Sequence, residues 1–185
     1  MPDRILFVQG AGEGTHDDWD SRLVESLRRH LGGEGIRYPR MPDEDSAPYP
    51  AWKAVLREEI AGLGEGAVLV GHSSGGTILA HVLAEEPPAV PPAALILVSA
   101  PFCGPGGWLA EDLPADPDWA ARLPPGMAVV LHHGTEDEAV PVAHARLWAA
   151  AIPQAVLRVH LGRDHQMGDD LREVAEDILA LPAPR

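Results

Sequence analysis

Five short apolar runs punctuate the chain, at Ile5–Val8, Ala67–Val70, Ala94–Val98, Met127–Leu131 and Ala155–Val159. Runs of this length, bounded by Gly, Pro and polar residues, have the character of buried strands. Between them lie segments whose apolar residues recur at helical spacing: Trp19–Leu31, Trp52–Leu63, Ser74–Ala84, Val142–Ala151 and Leu171–Leu181. A weaker extended piece at Gly35–Pro39 supplies a sixth strand. Strand and helix alternate throughout, which predicts an α/β fold with a mostly parallel sheet covered by helices on both faces. Right-handed crossovers then reduce the topology to a doubly wound sheet.

Two stretches break the rhythm, Pro39–Pro50 and Pro101–Pro125, both rich in Pro, Gly and acidic residues and therefore read as loops. The second carries Trp108 and Trp119. It either folds over the carboxyl edge of the sheet as a small lid or is a solvated connection pinned by two tryptophans. No internal repeat or block of like charge is visible. A length of 185 residues fills one core and divides poorly into two, so residues 1–185 are expected to form one domain.

Composition changes this picture only by exclusion. Fourteen basic residues against 28 acidic ones leave a formal charge of −14, which would repel a phosphate backbone or an anionic membrane surface. Nucleic acid and membrane are therefore not expected as partners. The start, Met1-Pro2-Asp3-Arg4, runs into an apolar stretch without the length or cleavage pattern of a signal peptide, and no later run could span a bilayer. A cytosolic location is expected. Cys103 is the single cysteine, which rules out an intramolecular disulfide and agrees with a reducing compartment.

The densest chemical signal is Val68-Leu69-Val70-Gly71-His72-Ser73-Ser74-Gly75-Gly76, between a strand run and a helical run. It reads Gly-x-Ser-x-Gly. A serine on so sharp a strand-to-helix turn is lifted clear of the sheet, and the flanking glycines are required where side chains would collide with neighbouring backbone. The adjacent helix N-terminus favours the negative charge that develops when a carbonyl is attacked. A phosphate-cradling loop fits less well: the Gly-x-x-x-x-Gly-Lys-Ser/Thr pattern is absent, and residues 64–90 contain no Lys or Arg.

A serine needs a base to take its proton and an acid to orient the base. After the strand run at Met127–Leu131 comes His133-Gly134-Thr135-Glu136-Asp137-Glu138, and after the last run comes Gly162-Arg163-Asp164-His165. The order Ser73, Asp137, His165 is the one used when this turn supplies a nucleophile. Glu136, Glu138 and Asp164 are rival acids. His133 and His160 fall within or at the ends of strand runs, where packed roles are expected. For the oxyanion, the backbone N–H of Ser74 and that of Ala11, in the loop Gln9-Gly10-Ala11-Gly12-Glu13-Gly14, are the candidate donors. The spacing Gly10-x-Gly12-x-Gly14 misses the dinucleotide pattern Gly-x-Gly-x-x-Gly, so NAD is discounted and no cofactor is expected. A metal site on His132, His133 and His144 lacks ligand spacing, since adjacent strand residues point to opposite faces.

These residues resemble the α/β-hydrolase superfamily, and within it the small serine hydrolases typified by retinoblastoma-binding protein nine. The likeness rests on Gly71-His72-Ser73-Ser74-Gly75, on Leu97-Val98-Ser99-Ala100, and on Thr15-His16 followed by Trp19. It implies a six-stranded parallel core in the order 2-1-3-4-5-6, lacking the first two strands of larger hydrolases. It also implies metal-free hydrolysis of a small ester or amide, with a small-molecule acyl substrate as the partner. Many members have His-Gly where this chain has Gln9-Gly10, which alters the polar support under Ala11. His16 and His72 are candidate pocket residues, although a loop histidine such as His16 is also commonly exposed. A different class remains open, a non-catalytic binding protein built on the same scaffold.

Overall fold

In the computed structural model, residues 4–182 are described except Glu34 and Ala115. The strands are β1 (Ile5–Val8), β2 (Ile36–Arg37), β3 (Val68–His72), β4 (Ala94–Val98), β5 (Ala128–Gly134) and β6 (Val156–His160). All neighbours run parallel, in the order β2-β1-β3-β4-β5-β6. This is the doubly wound six-stranded sheet expected from the alternation, in the order implied by the resemblance. The helices are α1 (Asp20–His30), α2 (Tyr49–Ala61), α3 (Ser73–Glu85), α4 (Ala143–Ala151) and α5 (Arg172–Leu179).

The period-two geometry of a strand sorts the core into two layers. In β1, Leu6 and Val8 join Trp52, Leu56, Leu79, Leu83 and Trp148 on the face covered by α2, α3 and α4. Ile5 and Phe7 join Leu23, Val24, Leu27 and Val174 under α1 and α5. Burial on both faces explains why β1, β3 and β4 read as unbroken apolar runs.

The structure differs from the sequence reading at several places. The helix expected from Trp52 begins at Tyr49, because Pro50 sits in its first turn, where a missing N–H costs nothing. Ahead of α1, Thr15–Trp19 forms a π-helical turn. The run at Ala155–Val159 was expected to be a buried strand, but β6 is the outer strand of the sheet, with Val156 and Val159 nearly half exposed. Its partner on one side is β5, and among the described residues no strand pairs with its other edge. Among the described residues no helix is long and apolar enough to cross a membrane.

The chain reverses direction across the sheet between β1, which pairs with β2 on one side, and β3 on the other. The loops leaving the carboxyl ends of β1 and β3 therefore face each other, and a crevice opens where such sheets bind ligands.

Candidate active site

β3 passes into α3 without a linking residue, and Ser73 takes the turn at φ 49°, in the left-handed region that non-glycine residues rarely occupy. The glycines around it are there for space. A Cβ on Gly71 would collide with the backbone of Gly76, and one on Gly75 would collide with the carbonyl of Gln9 at the end of β1. The motif therefore holds the serine turn against both its own helix and the neighbouring strand.

Ser73, His165 and Asp137 are brought into one hydrogen-bonded series. His165 Nε2 lies 3.1 Å from Ser73 Oγ, and His165 Nδ1 lies 2.8 Å from Asp137 Oδ2. The other Asp137 oxygen accepts the N–H groups of Ala139 at 3.0 Å and Val140 at 2.7 Å. His133 Nε2, which donates to the Val140 carbonyl at 2.7 Å, stands 3.3 Å from Asp137 Oδ2. Burial pushes the Asp137 carboxyl up, but hydrogen bonds from His133, His165 and Val140 outweigh it and hold it well below the usual carboxylate range. Asp137 is thus an anion built to face an imidazole.

The rival acids are placed elsewhere. Glu136, Glu138 and Asp164 are exposed, and Asp164 accepts the N–H of Gly168 within its own loop. The loops that carry Asp137 and His165 are joined by backbone bonds, Thr135 N–H to His160 O and Glu136 N–H to Arg163 O, each 2.9 Å.

Two cavities flank the serine turn. One, of about 190 Å³, is walled by Ala11, Ser74, Thr77, Ile78 and the segment Pro101–Leu113. The other, of about 260 Å³, is lined by Gly10, Ala11, Glu13, Trp19, Ser73 and His165. Ala11 borders both, and Ser74 also lines the first. Gln9 supports the loop before Ala11 differently from a histidine: its Oε1 accepts the Met41 N–H at 3.1 Å and its amide donates to Glu44 Oε2 at 2.7 Å. Glu44 also accepts the N–H groups of Gly14 and His16. Neither Glu44 nor the fully buried Asp20, which accepts the Gly10 N–H at 2.7 Å, was singled out by the sequence motifs.

The two candidate pocket histidines part company. The His16 ring stacks on Tyr38 with centroids 4.2 Å apart and Nδ1 2.9 Å from Asp17 Oδ1, while Thr15 and Trp19 from the same turn line the cavity instead. His72 is buried yet lines the cavity, with its two ring nitrogens engaged by Asp20 and by the His165 carbonyl. Cys103 lies in the wall of the smaller cavity, and burial pushes its thiol up to about 11, which leaves it a poor nucleophile at neutral pH. His132, His133 and His144 engage three separate sets of partners: His160 and Asp177, Val140 and Asp137, and the Phe102 N–H.

No curated protein matches the chain in sequence. Solved structures match its fold at low identity. An esterase from Rhodococcus sp. superposes with a TM-score of 0.66 at 17% identity, covering 96% of this chain and 90% of its own. A monoacylglycerol lipase from Paleococcus ferrophilus gives 0.64 at 16%, covering 97% and 96%. A serine hydrolase without a lid from Xanthomonas campestris gives 0.57 at 18%, covering 100% and 88%. Residues 5–125, well over half of the chain, match the model of the alpha/beta hydrolase family, and the chain belongs to that family.

Proposed function

We propose that this protein is a serine hydrolase that cleaves a small carboxylic ester, or the related thioester or amide, through an acyl-enzyme on Ser73. The observation that carries the reading is the unbroken series Ser73 Oγ, His165 and Asp137, in which the His165 ring stands at hydrogen-bond distance from both the hydroxyl and the carboxylate and the acid is anionic. Esterase and lipase activity among proteins of the same fold is consistent with it.

In this mechanism Ser73 Oγ attacks the carbonyl carbon while its proton passes to His165 Nε2. The carbonyl oxygen becomes an oxyanion facing the N–H groups of Ala11 and Ser74. Asp137 holds the imidazole with Nδ1 protonated and compensates the imidazolium. His165 then gives its proton to the leaving oxygen, sulfur or nitrogen as the bond to the carbonyl carbon breaks. Water repeats the sequence on the acyl-enzyme, losing a proton to His165, and Ser73 departs with that proton restored. Since His165 must reach the leaving atom, the leaving group belongs in the larger, more polar cavity that contains His165, and the acyl group belongs in the smaller one. That smaller cavity, about 190 Å³, falls below the 300 Å³ or so at which drug-sized ligand sites begin, which favours short acyl groups. Segment 101–125 supplies Pro101, Trp108 and Leu113 to its wall and acts as a small cover. On its motifs, we place the chain with the small serine hydrolases typified by retinoblastoma-binding protein nine.

Ser73→Ala tests the reading directly. Turnover of an activated ester such as p-nitrophenyl acetate is expected to fall on the order of 10³-fold or more, and a fluorophosphonate is expected to label wild-type Ser73. Activity retained at the wild-type level, or a folded wild type that resists labelling, overturns the reading and leaves a binding scaffold in its place.

A further inference from the structure

We propose that Asp20 and His72 form a buried positioning pair that ties the oxyanion loop to the general base, so that the two keep their spacing across Ser73. The inference rests on the serine-hydrolase reading above. Asp20, the first residue of α1, and His72, the last of β3, are both buried. Asp20 Oδ2 accepts the Gly10 N–H at 2.7 Å and lies 3.0 Å from His72 Nδ1. His72 Nε2 lies 3.1 Å from the carbonyl oxygen of His165. One side chain thus holds the N–H of Gly10, the residue before Ala11, and the other stands against the backbone carbonyl of the base.

Both ring nitrogens of His72 face oxygen acceptors. A neutral imidazole has one N–H and would leave one of these contacts without a proton; the imidazolium satisfies both. Burial opposes a charge on His72, but the Asp20 carboxylate outweighs it and holds the imidazole above its ordinary range. The same pairing holds Asp20 in its ionised form against its own burial.

Stability gives little reason for this arrangement, because a buried ion pair repays its desolvation poorly and an apolar pair of similar volume often serves a core as well. Geometry gives a strong one. Gly10, His72 and His165 come from the β1 loop, the end of β3 and the loop after β6, three segments that the sheet alone does not lock together at their tips. A Cβ on Gly10 would stand 3.0 Å from Ser73 Cβ and 3.3 Å from His72 Nδ1, so the oxyanion loop has no slack on this side. An error on the order of 1 Å in such a constellation costs about 10²-fold in rate.

Two conservative changes, the first isosteric and the second shorter, separate positioning from simple stability. Asp20→Asn keeps an acceptor for Gly10 but removes the charge; His72→Asn keeps a donor toward Asp20 but loses the bond to His165. With p-nitrophenyl acetate, kcat of the folded variants is expected to fall about 10- to 100-fold with KM little changed. The inhibition constant of a trifluoromethyl ketone, which mimics the tetrahedral state, should weaken in step with kcat/KM. The double variant should be no worse than the poorer single one, as for two residues acting as a unit. Variants that melt earlier but keep wild-type kcat and inhibitor affinity, or losses that multiply in the double variant, overturn the proposal. A second measurement needs no variant: nitrogen-15 NMR of wild-type protein at pH 7 should show protons on both ring nitrogens of His72, and a neutral ring overturns it equally. If wild type itself neither hydrolyses esters nor takes up fluorophosphonate, the hydrolase reading has failed; if it does both and the variants match it, only the positioning pair has failed.

Discussion

Replacing Gly134 by alanine should disable the site from behind, without touching any residue of the Ser73 series. Gly134 ends β5 and backs directly onto the loop that carries His165. A methyl group there would overlap the carbonyl oxygen of Arg163 and stand 2.9 Å from that of Asp164, inside the 3.0 Å that real Cβ atoms essentially never cross. Both obstacles are backbone and cannot swing aside as a side chain would. The Asp137 loop and the His165 loop must therefore separate by roughly 1.4 Å to restore ordinary contact distances. The separation strains the 2.9 Å bond from Glu136 N–H to Arg163 O, worth about 1 kcal/mol, and overpacking adds about 1–3 kcal/mol. A destabilisation of roughly 2–4 kcal/mol lowers the melting temperature of a chain of this size by about 4–16 °C. Asp137 Oδ2 and His165 Nδ1, now 2.8 Å apart, would lose alignment, and kcat of the folded fraction should drop on the order of 10²-fold. Thermal melting together with kcat per folded molecule measures both. A Gly134→Ala protein that melts and turns over like wild type would refute the claim that this close approach sets the distance between acid and base.

Asp137→Asn should cost on the order of 10³- to 10⁴-fold in kcat by presenting the wrong hydrogen-bonding face to His165. Because the Asp137 carboxyl is depressed below its ordinary 3.8, its contribution to stability is present above that value and lost as pH falls below it; the urea midpoints of wild type and variant should therefore converge on acidification. His81, buried against Trp119 and lowered by burial to about 4, disfavours its charged form in the fold. Unfolded chains take up that proton first, so stability should decline as pH falls from 6.5 toward about 4, and His81→Leu should flatten this part of the melting-temperature profile; an unchanged slope counts against a neutral buried His81. Among p-nitrophenyl esters, acetate and butyrate should be turned over faster than palmitate, and the opposite order would remove the short-acyl assignment of the 190 Å³ cavity.

What could be read from the sequence follows the range of the interaction behind each feature. The Gly-x-Ser-x-Gly turn was legible because local sterics impose it: where a Cβ on Gly71 or Gly75 meets backbone, the residue type itself records the contact. The strand alternation was legible because burial on both faces leaves unbroken apolar runs, and it misled at β6, where an apolar run of ordinary length sits at the open edge of the sheet. The choice of Asp137 over Glu136, Glu138 and Asp164 depends on which of four acids turns inward, and composition is blind to that.

Asp20 shows where a stronger signal was available. It lies three, four and seven residues before Leu23, Val24 and Leu27, and so falls on the apolar stripe of α1 rather than on its solvated face. An acid in the first turn of a helix is ordinarily read as a partner of the helix dipole, and that reading hides it. An acid on a buried stripe makes a further demand, since it must find donors or a cation in the core. The donors it finds are the amide of Gly10, beside the candidate oxyanion loop, and the imidazole of His72, one residue before the candidate nucleophile. A charged residue out of place in a helical pattern thus points toward the same crevice as the serine motif, through a contact that spans 52 residues of sequence.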